Sequence, residues 1–342
     1  MTLQMVQANG DKWRNLRTTF SPIFTSGKMK AMQIFIDEAC QRLIVAMDKF
    51  AESGEDFETK GTLGKFSMDT IASCAFGIDA KVHASEKSIF VQYANEIFRS
   101  RITDILKFMT AILLPFGLGT QLLRALNKSI QPKTETEFFY NVVLNTLRSR
   151  QETKTRRNDL IDMMMDAIRG DVTEDLDDED QFDRDAKIKS ISSKAQKAAL
   201  GEDEIVATAF VILVAGYDTT GSLLSYACYE LAKNVEIQDR LRQEVESIMD
   251  GECNDLKFED VQKMTYMDQV LNETLRLHVP IPIVQRVASR DYTIPGSNVT
   301  IPKGSEAWIN PVGIHTDTKH YANPDIFDPD HFSKENVTTR QP

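Results

Sequence analysis

The fold is decided by residues 204–233, EIVATAFVILVAGYDTTGSLLSYACYELAK. The stretch contains no proline, and at 1.5 Å per residue a helix of this length spans roughly 45 Å, about the width of a domain. Its first half is apolar on every side of the predicted helix. A helix of that kind is central in a protein rather than surface-lying.

The middle of this helix breaks local rules of helix formation. Residues 215–221, AGYDTTG, place two glycines and two threonines in the helix interior. Each interior glycine costs about 1 kcal/mol relative to alanine. A buried Asp218 is costly unless it is paired or protonated, and threonine hydroxyls can bend a helix by bonding a carbonyl one turn earlier. Two interpretations stay open: a functional site, or a tight helix crossing that needs small residues.

The rest of the chain predicts a mainly α protein with a small β region near its C-terminus. Apolar periodicity predicts helices at residues 34–50, 66–76, 89–108, 135–157 and 264–278. Residues 290–309 alternate apolar and polar side chains around Pro295–Gly296 and Pro302–Gly304, a pattern of short strands joined by turns. No internal repeat is visible.

Composition excludes some functional classes. The 342 residues include 40 basic and 51 acidic side chains, so the formal net charge is −11. Such a balance repels phosphate backbones, and nucleic acid is not an expected partner. No segment has the roughly 20 apolar residues of a membrane-spanning helix, and the first residues do not resemble a signal peptide. We therefore expect this chain by itself to be soluble or peripheral.

Neither the charged segment at residues 171–198 nor the cysteines indicate a catalytic or metal-binding site. Residues 171–198 begin with a strongly acidic run and continue with lysines, which is typical of a solvated loop between helices. The four cysteines, Cys40, Cys74, Cys228 and Cys253, contain no CxxC pair. We therefore predict buried free thiols rather than disulfides or a zinc site.

Two further patterns are weak when taken alone. Glu273 and Arg276 lie three residues apart, and periodicity places them opposite the apolar face of their helix. Such a position predicts an exposed ion pair contributing about 0.2–0.5 kcal/mol. Trp13 and Arg17 share one face of a helix, with Arg14 beside them, and this donor set suits a carboxylate-bearing ligand. An amphipathic surface helix is the competing interpretation, and the pattern alone favours it.

Taken in order along the chain, these motifs resemble the cytochrome P-450 family. GDKWRNLR at residues 10–17 and FSPIFTSGKMK at residues 20–30 look like the C-helix region of microsomal members. AGYDTT at 215–220 is similar to the oxygen-binding A-G-x-D/E-T-T segment, and NETLR at 272–276 to the E-x-x-R helix. IPKG and NPDIFDPDHF, at 301–304 and 323–332, resemble the strand and meander that follow. The likeness is greatest to the clan of family three and the insect detoxification enzymes.

The resemblance implies a haem cofactor and the residues around it. In the family the tryptophan and arginine of the C helix hold the haem propionates, positions that correspond to Trp13 and Arg17. A second propionate arginine corresponds to Arg286. The resemblance also implies that Asp218 and Thr219 are the catalytic acid–alcohol pair, which supplies protons to bound dioxygen. Ala215 and Thr219 would lie beside the haem.

Activity, substrates and partners follow from the same resemblance. A haem-dependent monooxygenase inserts one oxygen atom of O2 into lipophilic small molecules, including xenobiotics, with electrons from NADPH through a reductase. The implied substrate contacts are Phe210, Val214, Ala215 and Ile283, all apolar. The implied location is the cytosolic face of the endoplasmic reticulum membrane. Glu273 and Arg276 are implied to have a structural role.

This sequence departs from the family pattern in three ways. The haem loop, F-x-x-G-x-R-x-C-x-G, does not occur among the 342 residues, so no iron ligand is assigned to any cysteine. His331 stands where the meander arginine completes the E-x-x-R network, and histidine is a weaker, conditional charge partner. The membrane anchor and the β-rich lobe that precede the C helix in the family are also absent. The resemblance thus covers one partial domain, from the C helix to the meander.

These departures lead to an expectation for the chain by itself and to two rival functions. We expect residues 1–342 alone to lack the thiolate-bound haem and to fold poorly, with an exposed apolar face at residues 205–214. The first rival is a truncated, haem-free helical protein with a regulatory role or none. The second is an unrelated α-rich binding module, which the ordered motifs make remote.

Overall fold

The computed structural model describes residues 8, 10–77, 88–98, 133–169, 201–249 and 256–339. The chain divides into two compact units, Met1–Asp218 and Thr219–Pro342. The boundary falls inside one helix, between the aspartate and the first threonine of AGYDTT. The charged connector at 171–198, residues 99–108 of one predicted helix and Cys253 lie outside the described residues.

The first unit is built from helices. Its described helices, numbered here in chain order, are α1 Gly10–Phe20, α2 Ser26–Ala31, α3 Gln33–Ser53, α4 Thr59–Phe76, α5 Ile89–Phe98, α6 Lys133–Thr153 and α7 Leu160–Arg169. A 3-10 turn, Ser21–Phe24, joins α1 to α2. The predicted helices are confirmed, although their ends differ from the predicted ones.

Local caps explain these differences. The expected break after α3 occurs at Gly54, whose φ of 67° is left-handed and therefore suits glycine. Helix α4 begins seven residues earlier than predicted because the Glu58 side chain accepts a hydrogen bond from the Gly61 amide and caps the helix. Helix α6 ends at Thr153 rather than at residue 157, since Lys154 and Asn158 both have positive φ.

The predicted central helix is present as α8, Glu202–Lys233, 32 residues long. Its N-terminal half is buried in the core of the first unit, where Val206, Ala209 and Leu213 are fully enclosed. The same core includes Phe139 of α6 and Met164 of α7. The expectation of an exposed apolar face at residues 205–214 is therefore wrong, because helices of the same unit already cover it.

Helix α8 is the one helix in the described part of the chain that has the length and composition of a membrane-spanning helix, so the expectation that no segment reaches this length is wrong. Half of its most apolar window is buried inside the protein. The core helix of a soluble protein has the same properties, so this feature gives only weak support for a membrane span.

The second unit begins at Thr219 of α8 and contains most of the β structure. Its elements are α9 Val235–Ile248, α10 Phe258–Val261, α11 Thr265–Leu277, β1 Val284–Val287, β2 Tyr292–Thr293, β3 Thr300–Ile301, β4 Glu306–Ile309, α12 Pro311–His315 and α13 Lys334–Thr339. A 3-10 turn, Pro329–Phe332, precedes α13. A small core forms around Leu241, Tyr266, Val270 and Phe327.

The strands form two antiparallel pairs. In one pair β1 lies beside β4, with Val284 opposite Ile309, and in the other β2 lies beside β3, with Tyr292 opposite Ile301. Strand β1 lies before residues 290–309, the region in which strands were expected. The sequence pattern did not reveal it, because a four-residue strand is too short for a clear alternation of apolar and polar residues. The predicted turns are present, and Gly296 and Gly304 adopt positive φ there.

Candidate functional site

The candidate catalytic turn, residues 215–220 of α8, is contacted by α4. A Cβ atom on Gly216 would lie 2.9 Å from Cδ1 of Ile71, so a larger residue there would force Ile71 to move. The hydroxyl of Ser67, itself buried, donates a hydrogen bond shared between the carbonyls of Gly216 (2.8 Å) and Tyr217 (3.0 Å). The requirement for a small residue is therefore real at Gly216. It does not account for the polar residues that follow.

Asp218 is paired rather than isolated. Its carboxylate Oδ1 lies 3.3 Å from Nζ of Lys60 on α4, and the two side chains are 28% and 61% exposed respectively. The pair therefore lies at the edge of the protein and not in the dry core. An acid in such a position is stabilised by its partner and still has access to solvent, which is what a group that exchanges protons requires.

Tyr217 connects the same turn to a second neighbouring helix, α5. Its hydroxyl donates to Oδ1 of Asn95 on α5 at 2.6 Å. Burial, with smaller contributions from the negative charges of Asp218 and Glu58, raises the pKa of the phenol to about 12. Tyr217 is thus a neutral hydrogen-bond donor at ordinary pH and serves as an anchor of the turn.

Helix α1 presents its proposed anion-binding pair to solvent. Leu16 and Phe20 bury one side of the helix, whereas Trp13, 44% exposed, and Arg17 lie on its exposed side. Within the described residues neither side chain has a hydrogen-bond partner, while the neighbouring Arg14 is paired with Asp11 at 2.7 Å. An indole N–H and a guanidinium one turn apart fit a carboxylate, and the donor set is therefore compatible with haem propionates.

The remaining proposed contacts differ in their surroundings. Arg286 is exposed on β1 and donates to the carbonyl of Gln285 at 2.8 Å. Phe210 is buried in the core of the first unit, with its ring centroid 6.5 Å from that of Phe139. Val214 is partly buried, and Ala215 and Ile283 are exposed. Phe210 has a packing role here, and its substrate contact stays a prediction.

The interpretation of Glu273 and Arg276 as an exposed ion pair is wrong. Both side chains of the pair are 0% exposed, and the guanidinium binds the carboxylate through two bonds of 2.7 Å. Arg276 also donates to the backbone carbonyls of His315, Pro324 and Ile326. Periodicity failed because α11 is buried on this side as well, by the segment around Pro329–Phe332.

His331 is part of the same buried network. Its Nδ1 lies 3.1 Å from Oε1 of Glu273, and its Nε2 lies 2.7 Å from the carbonyl oxygen of Ala322. Both partners are hydrogen-bond acceptors, and the ring can donate to one of them as the neutral imidazole and to both as the imidazolium. The ring of Tyr321 lies edge-on to His331 and beneath the Arg276 guanidinium. The structure therefore adds the His331 ring to the contacts of the Glu273 carboxylate.

Two buried polar clusters were missed in the sequence. In the first unit Arg150 binds both Asp159 and Asp162, and all three side chains are buried. In the second unit, Oε1 of the buried Glu230 lies 2.8 Å from Nε2 of His278. The D-x-x-D spacing at the start of α7 was an available signal, since Asp159 accepts a bond from the Asp162 amide there.

Desolvation raises the pKa of each described cysteine thiol. Burial, and secondarily the charge of Asp159, raises the pKa of Cys74 to about 12. Desolvation also raises the pKa of Cys40, with Asp37 a smaller cause, and that of Cys228. All three are free thiols, but only Cys74 is buried, so the prediction of buried thiols is wrong for the half-buried Cys40 and the exposed Cys228. No group of three or more potential metal ligands exists among the described residues. No iron ligand is assigned within them.

Comparison with known proteins gives the class. The family model for cytochrome P-450 matches residues 1–342. The chain is 32% identical to cytochrome P-450 6a2 of Drosophila melanogaster, over 100% of this chain and 64% of that protein. It is 32% identical to cytochrome P-450 6B1 of Papilio polyxenes and 34% identical to cytochrome P-450 6B7 of Helicoverpa armigera, each over 63% of the relative.

The chain belongs to the cytochrome P-450 family. The three matches span 98% or more of this chain but less than two thirds of the length of each relative. The haem cofactor is implied by the family, and the insect members of family six are the relatives just described.

Proposed function

We propose that the protein containing this chain is a haem-dependent monooxygenase that inserts one oxygen atom of O2 into lipophilic small molecules. The observation that carries the proposal is the ion-paired, partly exposed Asp218 beside Thr219 in the central helix of a cytochrome P-450. The paired acid can take protons from solvent, and the neighbouring hydroxyl can pass them inward. NADPH is the proposed electron source, through a reductase partner.

The residues proposed to hold the cofactor are Trp13, Arg17 and Arg286, as donors to the haem propionates. Haem supplies the oxygen-activating chemistry, and the protein supplies orientation, protons and an apolar environment. Ala215 and Thr219 would adjoin it, and a small residue at 215 leaves room on the exposed side of α8. These assignments rest on family position and on the exposed donor set of α1.

The proposed substrates are apolar compounds, including xenobiotics, contacted by Phe210, Val214, Ala215 and Ile283. The absence of a charged side chain among these four favours selection by shape over selection by charge. The proposed location is the endoplasmic reticulum membrane, as for a microsomal enzyme. Glu273, Arg276 and His331 are proposed to have a purely structural role.

The test of proton supply uses Thr219→Ala and Asp218→Asn in the full-length, haem-loaded protein. The substrate is a lipophilic compound chosen because it shifts the haem absorption of the wild type. Each variant should release more peroxide per NADPH oxidised and form less product, because protons no longer arrive in step with electrons. Unchanged peroxide release at unchanged product yield would remove both residues from the proposed site.

Cofactor binding has its own test. Replacement of Arg17 or Arg286 by alanine should lower haem occupancy, since a propionate loses a charge-assisted hydrogen bond worth about 1.5–3 kcal/mol. Arg14→Ala is a matched control, because Arg14 is an exposed arginine of the same helix that pairs with Asp11. Full occupancy in the Arg17→Ala/Arg286→Ala double variant would contradict the assignment.

The rival function, a haem-free helical protein, applies to residues 1–342 taken alone. We propose that this chain does not form thiolate-bound haem, because none of its four cysteines lies in a haem-loop motif. The carbon-monoxide difference spectrum of the reduced, purified chain tests this. A thiolate-type Soret band, together with cooperative thermal unfolding, would show that one of the four cysteines is the ligand.

A further inference from the structure

Ser67 bonds the catalytic turn in an unusual way for a hydroxyl in this chain. Many helical hydroxyls here donate to a carbonyl one turn earlier in their own helix, as Thr70 does to Phe66 and Ser225 to Gly221. Ser67 instead reaches from α4 to the carbonyls of Gly216 and Tyr217 on α8. These two carbonyls belong to the residues that directly precede Asp218.

The contact belongs to one stripe along α4. Lys60, Gly64, Ser67 and Ile71 are separated by four, three and four residues and therefore share one helix face. Lys60 pairs with Asp218, Gly64 lies under the Tyr217 ring, and Ile71 packs at Gly216. The stripe thus contacts three consecutive residues of α8, those that end at the proposed catalytic acid.

The Ser67 hydroxyl is placed to set the orientation of this turn. Side chains in an α-helix change direction by about 100° per residue, so a small rotation of α8 about its axis redirects the Asp218 carboxylate. Apolar packing at Ile71 limits how closely α4 and α8 approach. It does not fix the rotation of α8 about its axis, because apolar contacts have no directional requirement. A hydrogen bond shared by two carbonyls does have one. It fixes the turn where Lys60 and Asp218 are within 3.3 Å.

We propose that Ser67 is a positioning residue for the reaction, which acts through Asp218 by fixing the rotation of the 215–220 turn. The inference deepens the proposed function and rests on it. Ser67 itself touches neither substrate nor cofactor in this role. No other hydrogen bond from the α4 stripe to the α8 backbone is found among the described residues.

The experiment compares Ser67→Ala and Ser67→Cys in the full-length, haem-loaded protein. Cysteine keeps the approximate size and a weak S–H donor, so it separates loss of the hydrogen bond from loss of volume. Ser225→Ala is the matched control, because the same substitution there removes a hydroxyl that bonds within α8. The measurements are peroxide released per NADPH oxidised, apparent KM for the lipophilic substrate, and amide hydrogen exchange of residues 213–223.

We expect peroxide release to rise several-fold in Ser67→Ala, less in Ser67→Cys and not in Ser225→Ala, with KM unchanged. Exchange of residues 213–223 should accelerate in Ser67→Ala while exchange in α1 stays constant. Adding Ser67→Ala to Asp218→Asn should give little further peroxide, since both act through the same carboxylate. This non-additivity distinguishes positioning from a general loss of stability.

The two proposals fail in different ways. If Asp218→Asn and Thr219→Ala leave peroxide release unchanged, the proton-supply function is wrong. If those variants raise it and Ser67→Ala and Ser67→Cys do not, the positioning role alone is wrong. Additive effects of Ser67→Ala and Asp218→Asn, or an equal effect of Ser225→Ala, would also overturn the role of Ser67. If Ser67→Ala does not fold, the Ser67→Cys result decides.

Discussion

Two charged sites of this chain, one in each unit, are built differently. In the second unit Glu273 and Arg276 are completely buried, and the guanidinium makes bonds to one carboxylate and three carbonyls. In the first unit Asp218 and Lys60 are partly exposed and joined by a single contact of 3.3 Å. The first arrangement satisfies every donor of a buried cation, whereas the second leaves both charges in reach of water.

This difference favours a stabilising role for the buried pair and is compatible with the proposed chemical role of Asp218. Buried charges that lose one partner destabilise a protein strongly, because the remaining charge stays desolvated. Partly exposed pairs contribute little to stability, since solvent already screens them. The buried network is therefore suited to hold a fold, and the exposed pair is suited to change its protonation state without unfolding the protein.

Breaking the buried network should have the largest effect. Arg276→Ala leaves the Glu273 carboxylate buried without its main cation, and we expect a loss of about 3–5 kcal/mol in unfolding free energy. That is a large part of the 5–15 kcal/mol typical of a folded protein. Urea unfolding followed by Trp308 fluorescence, in a Trp13→Phe background, reports on the second unit.

The control for this comparison is Arg242→Ala, which removes an exposed pair with Asp239 on α9. Its effect should stay below about 1 kcal/mol. Equal destabilisation by the two arginine variants would show that burial does not distinguish these ion pairs.

His331 supplies the next largest effect. His331→Gln removes the ring nitrogen that contacts Glu273, and we expect a loss of about 1.5–3 kcal/mol in unfolding free energy, the usual value of a hydrogen bond to a charged group. His331→Arg should lose less, because a guanidinium can donate to the Glu273 carboxylate from this position. The same Trp308 unfolding experiment checks both variants. A larger loss in the arginine variant than in the glutamine variant would show that His331 does not contribute through a hydrogen bond to Glu273.

Alkaline pH should act on the first unit through Cys74. Burial raises its pKa from 9.0 to about 12, so the folded state keeps the proton after the unfolded state has lost it. Its contribution to stability is complete below about pH 9 and falls at higher pH by at most about 1.4 kcal/mol per pH unit. Unfolding followed by Trp13 fluorescence, compared with Cys74→Ala at each pH, isolates this change. Identical slopes for the two proteins above that pH would contradict it.

The smallest change in stability is expected for Asp218→Asn. Since the pair with Lys60 is partly exposed, unfolding free energy should change by less than about 1 kcal/mol. The same variant should markedly impair the coupling of NADPH oxidation to product formation. Trp13 fluorescence measures the first quantity and peroxide release the second. A loss of unfolding free energy comparable to that of Arg276→Ala would show that Asp218 has a structural role.

Parts of the fold could be predicted because they depend on neighbours in sequence. The length of α8, the break at Gly54 and the turns at Gly296 and Gly304 follow from periodicity and from the freedom of glycine. The start of α4 was misjudged because a glutamate cap is a weaker signal than an apolar repeat.

The candidate site was predicted only in its residue types. The sequence indicated that Asp218 needs a partner if it is buried, but Lys60 lies 158 residues earlier in the chain. The sequence also left open whether small residues served packing or function. The structure shows that Gly216 serves packing against Ile71, and it gives the polar residues beside it separate contacts with α4.

The sequence by itself determined the helical class, the order of the motifs and the place of the rule-breaking turn. These properties are encoded in residues within a few turns of one another, where spacing and propensity act directly. Only the tertiary structure decided that Glu273 and Arg276 are buried, that His331 joins their network, and that Ser67 bonds the turn of α8. Burial and pairing depend on segments distant in sequence, and spacing along one helix contains no information about what packs against it.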